Sequence, residues 1–264
     1  MRYAIVSDIH ANWDALETVL NDAGDVDQVW CLGDIVDMGP EPNECVEALR
    51  ARSAVCIFGN HEEWVSDTMP QRIRETPMLE GWARWTRARL SADNLTFLEA
   101  LPEQITLGAF TLLHYPHASF DPPAVGDLTR FASRYCLVGH THLPLVCRYP
   151  TNGAGAASVQ ISRPPTGEPM VLDDDRAIVN VGSVGASFTD PRLACYLMLD
   201  EPAGGDAPML TFRAVAYPVQ SFLDKLRDFD IPAELAAGRQ LGFDRPNPAR
   251  ERVAALYREW YPEV

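Results

Sequence analysis

The chain opens with an unbroken apolar run, "RYAIVS" over residues 2–7, and "DQVWCLGD" and "SAVCIFGN" repeat the pattern further on. Short, continuously apolar runs of this kind predict buried strands. Between them the period lengthens. In "NWDALETVL", Asn12 to Leu20, the apolar positions Trp13, Leu16, Val19 and Leu20 recur at helical spacing, and "PEPNECVEALR" opens with prolines before turning helical. Strands alternating with helices at this spacing predict right-handed βαβ units and a mainly parallel sheet.

The pattern changes between about residues 62 and 101, where "MLEGWARWTRARLSADNLTFLEALP" predicts two helices with Ser91 as the N-cap between them. Trp82, Trp85 and Leu90 read as packing residues of this helical insertion. Strands then return. "QITLGAFTLLHY" predicts a hairpin around Leu107-Gly108, and "RYCLVGH" and "LPLVCRYP" predict two further strands. "TNGAGAAS" reads as a glycine-rich turn, and the excursion over about 151–179 carries "VQIS" and "MVL" as surface strands. "AIVNVGSVG", "LACYLMLD" and "MLTFRAVAYP" complete a second series, and the tail from Ser221 to Val264 predicts two helices, the last beginning at "NPAR". No repeat or low-complexity linker divides residues 1–264, so a single domain is expected.

Where the apolar runs stop, the polar residues are not random. The first ends in Asp8-Ile9-His10, the second in Gly33-Asp34-Ile35-Val36-Asp37 and the third in Gly59-Asn60-His61-Glu62. Later runs end in His114, in His140-Thr141-His142 and in Asn180-Val181-Gly182-Ser183. In α/β sheets the carboxyl ends of the strands are where ligands bind. Of six histidines, five occupy these ends and His117 lies three residues beyond one of them, which makes the ends a candidate site.

Composition narrows what that site can serve. With 264 residues, 47% hydrophobic and 22% charged, the chain can bury a full core without staples. Its N-terminus meets acidic and histidine residues too early for a signal-peptide core, and no apolar run approaches about 18 residues, so a cytoplasmic location without membrane association is expected. The cysteines (Cys31, Cys45, Cys56, Cys136, Cys147 and Cys195) are scattered singly with no CxxC, and read as buried, reduced thiols. A formal charge of −15 argues against a module that binds duplex nucleic acid through lysine and arginine.

The strand-end clusters offer imidazole, carboxylate and amide oxygen but no thiolate. That set suits Mn²⁺, Fe, Ni²⁺ or Zn²⁺ in an open site and argues against a structural zinc. Five histidines, two or three aspartates and an asparagine exceed the needs of one ion. Two ions sharing a bridging carboxylate, roughly 3.5–4 Å apart, would use them all. Gly33, Gly59 and Gly139, beside the ligands, would let the backbone turn sharply.

Taken in order, the blocks DxH (Asp8, His10), GDxxD (Gly33 to Asp37), GNH (Gly59 to His61), His114 and GHTH (Gly139 to His142) resemble the calcineurin-like metallophosphoesterase superfamily. The likeness runs from Asp8 to about Gly185, and "NECVEALR" with the "GWARWTRARL…FLEALP" helices resembles a group of small bacterial metallophosphoesterases. It implies a four-layer αββα sandwich of two mixed β-sheets flanked by helices, with a dinuclear metal centre at one edge. On this resemblance Asp8, His10 and His142 would hold one ion, Asn60, His114 and His140 the other, and Asp34 would bridge them. His61 would face the substrate and protonate the leaving oxygen, oriented by Asp37. His117 is a candidate substrate contact. Glu62 and Glu63 read as helix-start carboxylates, and Ser183 does not sit in a nucleophile-elbow pattern.

Three positions depart from the pattern: Ala11 replaces a common glycine, Val181 a common proline, and Met38 the phosphate-gripping arginine of the phosphoprotein phosphatases. The last departure argues against protein phosphatase activity of that branch. The implied function is hydrolysis of a P–O bond by metal-activated water, with a small phosphate ester or nucleotide as substrate, manganese the favoured ion and phosphodiesters slightly favoured because His61 offers a proton to a poor leaving group. A phosphomonoesterase or a dinucleoside polyphosphate hydrolase is the alternative within the class. A degenerate scaffold that binds a protein partner is the alternative outside it, opposed by the filled ligand positions. Oligomeric state is left open.

Overall fold

A computed structural model of the chain describes residues 1–115, 131–149, 160–172, 175–202, 204, 207–235, 237 and 239. The first half alternates as its periodicity predicts: β1 (Arg2–Val6), α1 (Trp13–Ala23), β2 (Gln28–Cys31), α2 (Pro42–Ala51) and β3 (Val55–Cys56). Four helices follow, α3 (Asn60–Val65), α4 (Gln71–Arg74), α5 (Pro77–Arg89) and α6 (Ala92–Glu99). Strands β4 (Gln104–Leu107), β5 (Phe110–Leu113), β6 (Tyr135–Val138), β7 (Leu145–Tyr149), β8 (Gln160–Ser162), β9 (Pro169–Val171), β10 (Arg176–Asn180), β11 (Leu193–Asp200) and β12 (Met209–Ala216) precede α7 (Val219–Asp228).

These strands form two six-stranded mixed sheets, ordered β3-β2-β1-β11-β12-β9 and β4-β5-β6-β10-β7-β8. Both faces of each central strand are buried, which is why the runs are continuously apolar rather than alternating. Period two still sorts the side chains. In β1, Tyr3 and Ile5 join Leu197 and Leu199 of β11 and Phe110, Leu112, Tyr135 and Leu137 of the second sheet in one core between the sheets. Ala4, Val6, Tyr196 and Met198 face the other way, onto Leu16, Val19, Val46, Leu49, Trp82 and Phe222 of the helices. The outer face of the second sheet carries a third cluster built from Cys136, Val138, Leu145, Cys147 and Ile178 with Phe131 and Leu143.

Some expectations change. In the first sheet the parallel arrangement holds only for β1, β2 and β3, because β11 pairs antiparallel with both β1 and β12, while β5, β6 and β10 form a parallel core in the second. The region 62–101 contains more than two helices: α5 and α6 are the expected pair, with Ser91 Oγ accepting the Asn94 N–H at 3.1 Å, and α3 begins as early as Asn60. Trp82 is buried and Trp85 packs against the same cluster. The "VQIS" and "MVL" runs do form strands, β8 and β9, but they extend different sheets. His117, the "TNGAGAAS" turn and the helix expected at "NPAR" lie outside the described residues. All six cysteines are buried and reduced, and no helix among the described residues is long and apolar enough to cross a membrane.

Candidate metal centre

The C-terminal ends of β1, β2 and β3 in one sheet and of β5, β6 and β10 in the other converge on one edge of the sandwich. Backbone hydrogen bonds lock the loops together there: Ile9 and His10 N–H donate to Asp34 O at 2.8 and 3.0 Å, Gly139 N–H to His114 O at 3.0 Å and Gly185 N–H to Asp8 O at 3.0 Å. Among the described non-glycine residues with positive φ, only Ser53 lies elsewhere; Asp8 (53°), His10 (51°), Ala11, Asp34 (53°), Asp37 (72°), Met38, His140 (68°) and His142 (60°) all belong to these loops. Left-handed backbone costs a non-glycine residue on the order of 1–3 kcal/mol and collects where surrounding structure over-determines it. Here that strain turns the carboxylates and imidazoles inward. Close approach explains two glycines: a Cβ at Gly59 would collide with Asp34 Oδ1, and one at Gly139 with Ser7 Oγ.

The side chains so presented form three overlapping groups whose potential ligand atoms lie within 4.8 Å of one another: Asp8, His10 and His142; His10, Asp34 and His61; Asp34, His114 and His140. Asp34 belongs to two of them. His142 Nε2 lies 3.2 Å from both Asp8 Oδ1 and His10 Nε2. His114 Nε2 lies 3.2 Å from Asp34 Oδ2 and 3.2 Å from Asn60 Oδ1, which is also 2.8 Å from His140 Nδ1. The outward nitrogens are anchored on backbone: His114 Nδ1 donates to Leu32 O at 2.6 Å and His142 Nδ1 to Ala186 O at 2.7 Å. A ring that gives one N–H to a carbonyl presents the other nitrogen's lone pair, which is the way metal-binding histidines are usually held. His10 Nδ1 is buried with no hydrogen-bond partner among the described residues. The donor set and its anchoring fit divalent transition ions.

Burial governs the electrostatics. It holds His10 well below the usual imidazole range and, with His114, pulls His140 down to about 3, so both rings carry lone pairs at neutral pH. Burial alone would raise Asp34 and Asp8, yet His114 and His61 hold Asp34 far below the carboxylate range and His142 holds Asp8 below it. His114 resists the desolvation that would lower it, and Asp34 pushes it up to about 10. A ligand role for His114 therefore requires the loss of that proton.

This geometry meets its relatives in sequence. Residues 1–203 match the model of the calcineurin-like phosphoesterase superfamily domain. The chain belongs to the calcineurin-like phosphoesterase superfamily. Uncharacterized protein MJ0912 of Methanocaldococcus jannaschii is 30% identical over 215 residues, covering 75% of this chain and 82% of that protein. The crystal structure of a metallophosphoesterase from Sphaerobacter thermophilus superposes with a TM-score of 0.76 at 33% identity, covering 92% of this chain and 99% of that one. The chain is thus a phosphoester hydrolase, and the two-sheet α/β architecture is that of its family.

Other residues of this phosphoesterase support the loops. His61 Nδ1 lies 2.8 Å from Asp37 Oδ2, its Nε2 is 3.9 Å from Asp34 Oδ2, and the Trp64 ring packs against it at a 43° tilt with centroids 3.8 Å apart. Desolvation opposes the charged imidazole, but the Asp34 charge and the Asp37 hydrogen bond raise His61 above its ordinary value. Asp34 and Asp37 do not cap α2, whose N-cap is Glu41. Ser183 Oγ donates to Asp8 O, a loop support, and Asn180 Nδ2 donates to Gly139 O and Thr141 Oγ1.

Two residues escape a sequence reading. Glu62, which reads as a simple helix-start carboxylate, is buried and accepts N–H bonds from Gly59, Asp34, Ile35 and Val36. It therefore ties the Asn60 loop to the Asp34 loop. Its one visible signal is its position three residues after Gly59, the N3 place of a helix start. Arg239, beyond the matched domain, donates to Met38 O at 3.0 Å and Gly185 O at 2.7 Å, and nothing in its local sequence marks it.

Proposed function

We propose that this phosphoesterase is a two-ion enzyme that hydrolyses a P–O bond of a small phosphate ester or nucleotide, with diesters favoured over monoesters. The observation that carries the reading is Asp34, one carboxylate within ligand reach of His10 on one side and of His114 and His140 on the other. Asp8, His10 and His142 would hold one ion and Asn60, His114 and His140 the other, with Asp34 between them. Manganese is the favoured ion, and iron, nickel or zinc would also suit the ligands. When bound, such ions supply Lewis acidity toward a phosphoryl oxygen and lower the pKa of water.

The rest falls to the chain's own residues. Asp37 engages His61 Nδ1 and thereby leaves Nε2 to face the substrate. The proton on Nε2 passes to the oxygen that leaves phosphorus, and Asp37 compensates the imidazolium before that transfer. Such a proton matters most for an alkoxide leaving group, which is the reason for favouring diesters with aliphatic leaving groups. The test is a panel of aryl monoesters and diesters, cyclic nucleotides and dinucleoside polyphosphates, each assayed with Mn²⁺, Fe²⁺, Ni²⁺, Zn²⁺ and Mg²⁺ in turn. Fastest turnover on a diester supports the reading; monoester turnover that exceeds it under every metal refutes the diester preference.

A further inference from the structure

We infer that Thr86, on the helical insertion, is a positioning residue for the Asp37–His61 pair. The inference rests on the acid role proposed for His61. The evidence lies in where the Thr86 hydroxyl goes. A threonine inside a helix ordinarily returns its hydroxyl to the carbonyl four residues back. Thr18 in α1 does so to Asp14 O at 2.8 Å and Thr96 in α6 to Ala92 O at 2.9 Å. Thr86 instead leaves its own helix and donates across to Asp37 Oδ1 at 3.1 Å.

The consequence follows from what Asp37 does with its other oxygen. Oδ2 sits 2.8 Å from His61 Nδ1, so the carboxylate is held from opposite sides by α5 and by α3. Both Thr86 and Asp37 are 0% exposed, which removes water as a substitute partner for Oδ1. The neighbours of Thr86 on α5, Trp82 and Ala83, are locked in the helix-side core, so the hydroxyl arrives from a fixed support. Without it the Asp37 carboxylate can turn about its own axis, and the His61 ring loses the constraint that aims Nε2. On this reading α5 is part of the catalytic apparatus as well as a cover for the sheet.

Thr86→Val keeps the shape and removes the hydroxyl. Its expected effect is a roughly tenfold fall in kcat on an alkyl phosphodiester, with KM within about twofold, the low end of what loss of an orienting partner does. An activated aryl diester, whose leaving oxygen needs no proton, should slow by less than about threefold. Thr86→Ser, which restores a hydroxyl, should recover most of the rate, and Thr86→Ala serves the same test if valine disturbs α5. Metal content, measured by elemental analysis, should match the parent.

The deciding measurement is the double-mutant cycle. In a His61→Ala background, Thr86→Val should cost nothing further, because its effect travels through the missing ring. An equal slowing of both esters by Thr86→Val, or a full additional loss in the His61→Ala background, would overturn the inference. His61→Ala alone keeps the two ideas separate. If it discriminates between the esters while Thr86→Val does not, only the Thr86 assignment fails. If His61→Ala slows both esters alike, the acid role fails and takes the Thr86 assignment with it.

Discussion

Replacing Glu62 by glutamine should destabilise the protein and loosen the centre, although the two side chains have the same shape. Glu62 Oε2 accepts N–H bonds from Asp34 and Gly59, each at 2.8 Å, while Oε1 accepts from Ile35 at 2.8 Å and Val36 at 3.3 Å. Each oxygen serves two donors. An amide placed either way therefore points its NH₂ at two backbone N–H groups, and both lose their acceptor in a site that is 1% exposed. An unsatisfied buried donor costs about 1–3 kcal/mol, so two cost about 2–6 kcal/mol. Part is returned because the substitution removes a negative charge that Asp34 repels: burial and Asp34 together push Glu62 up to about 7, against the pull of the Gly59 and Asp34 N–H donors. A net loss of about 2–4 kcal/mol is expected, a sizeable share of the roughly 5–15 kcal/mol that holds a domain together. Urea unfolding of the chelator-treated protein at pH 8, with the slope m unchanged, measures it. A companion titration should show metal affinity reduced by about 10–100-fold, the usual consequence of losing a residue that orients ligands. A loss below about 1 kcal/mol would mean that Glu62 already carries a proton and bonds as an amide would, and the account of four N–H bonds to an ionised carboxylate would fall.

Four further outcomes are expected. Elemental analysis of the purified protein should find two ions per chain, and Asp34→Ala should lose both, since its carboxylate lies within ligand reach of His10 on one side and of His114 and His140 on the other; loss of one ion alone would limit Asp34 to a single site. Exhaustive chelation should abolish activity, with Mn²⁺ restoring it and Mg²⁺ doing so poorly because magnesium avoids imidazole; full activity at near-zero metal would remove the mechanism. Asn60→Ala should weaken the second ion and recover activity partly in excess metal, whereas His61→Ala should retain both ions and lose about 10²–10⁴-fold in rate; because the His61 ring nitrogens also lie within reach of His10 and Asp34, metal loss in His61→Ala would make it a ligand. Arg239→Ala should cost about 1–3 kcal/mol by leaving the Met38 carbonyl without its guanidinium donor, while Gly185 O keeps the Asn12 Nδ2 bond, and lysine should not rescue it, since one ammonium replaces a two-armed fork; a melting temperature unchanged from the parent would show that the clamp is idle.

What could be read in advance divides along the range of the interactions involved. The strands and helices of residues 2–56 were legible because their packing stripes are local: β1 alternates Tyr3 and Ile5 against Ala4 and Val6, and α1 repeats Leu16, Val19 and Leu20 every turn. The strand-end residues were legible for a topological reason. Parallel strands all deliver their carboxyl ends to one edge, so polar residues placed after β1, β2 and β3 must meet, whatever the details of packing. The antiparallel seam between β1 and β11 was not legible, since nothing within either strand records which neighbour it takes. Glu62, Thr86 and Arg239 were hidden for the same reason. Each acts on a partner 25 or more residues away, Glu62 on Asp34, Thr86 on Asp37 and Arg239 on Met38, and at its own position looks like an ordinary helical residue.

A deeper link joins the fold to the chemistry at the loops themselves. Aspartate, asparagine and histidine are the residues other than glycine that enter left-handed backbone most readily. They are also the ligand types that a hard-to-intermediate divalent ion requires. Asp8, His10, Asp34, His140 and His142 satisfy both demands at once, with φ between 51° and 68°. A tight turn at each strand end thus places its donor atom on the inner side of the loop without an added segment to carry it. Ala11 and Met38 share the conformation but bring no donor and no local hydrogen bond to offset its cost. Their strain is held instead by the loops around them, through Ala11 N–H on Ile35 O at 2.9 Å and the Arg239 guanidinium on Met38 O. The centre therefore depends on residues that never approach the phosphate, and its weakest points under mutation are expected among these supports as much as among the proposed ligands.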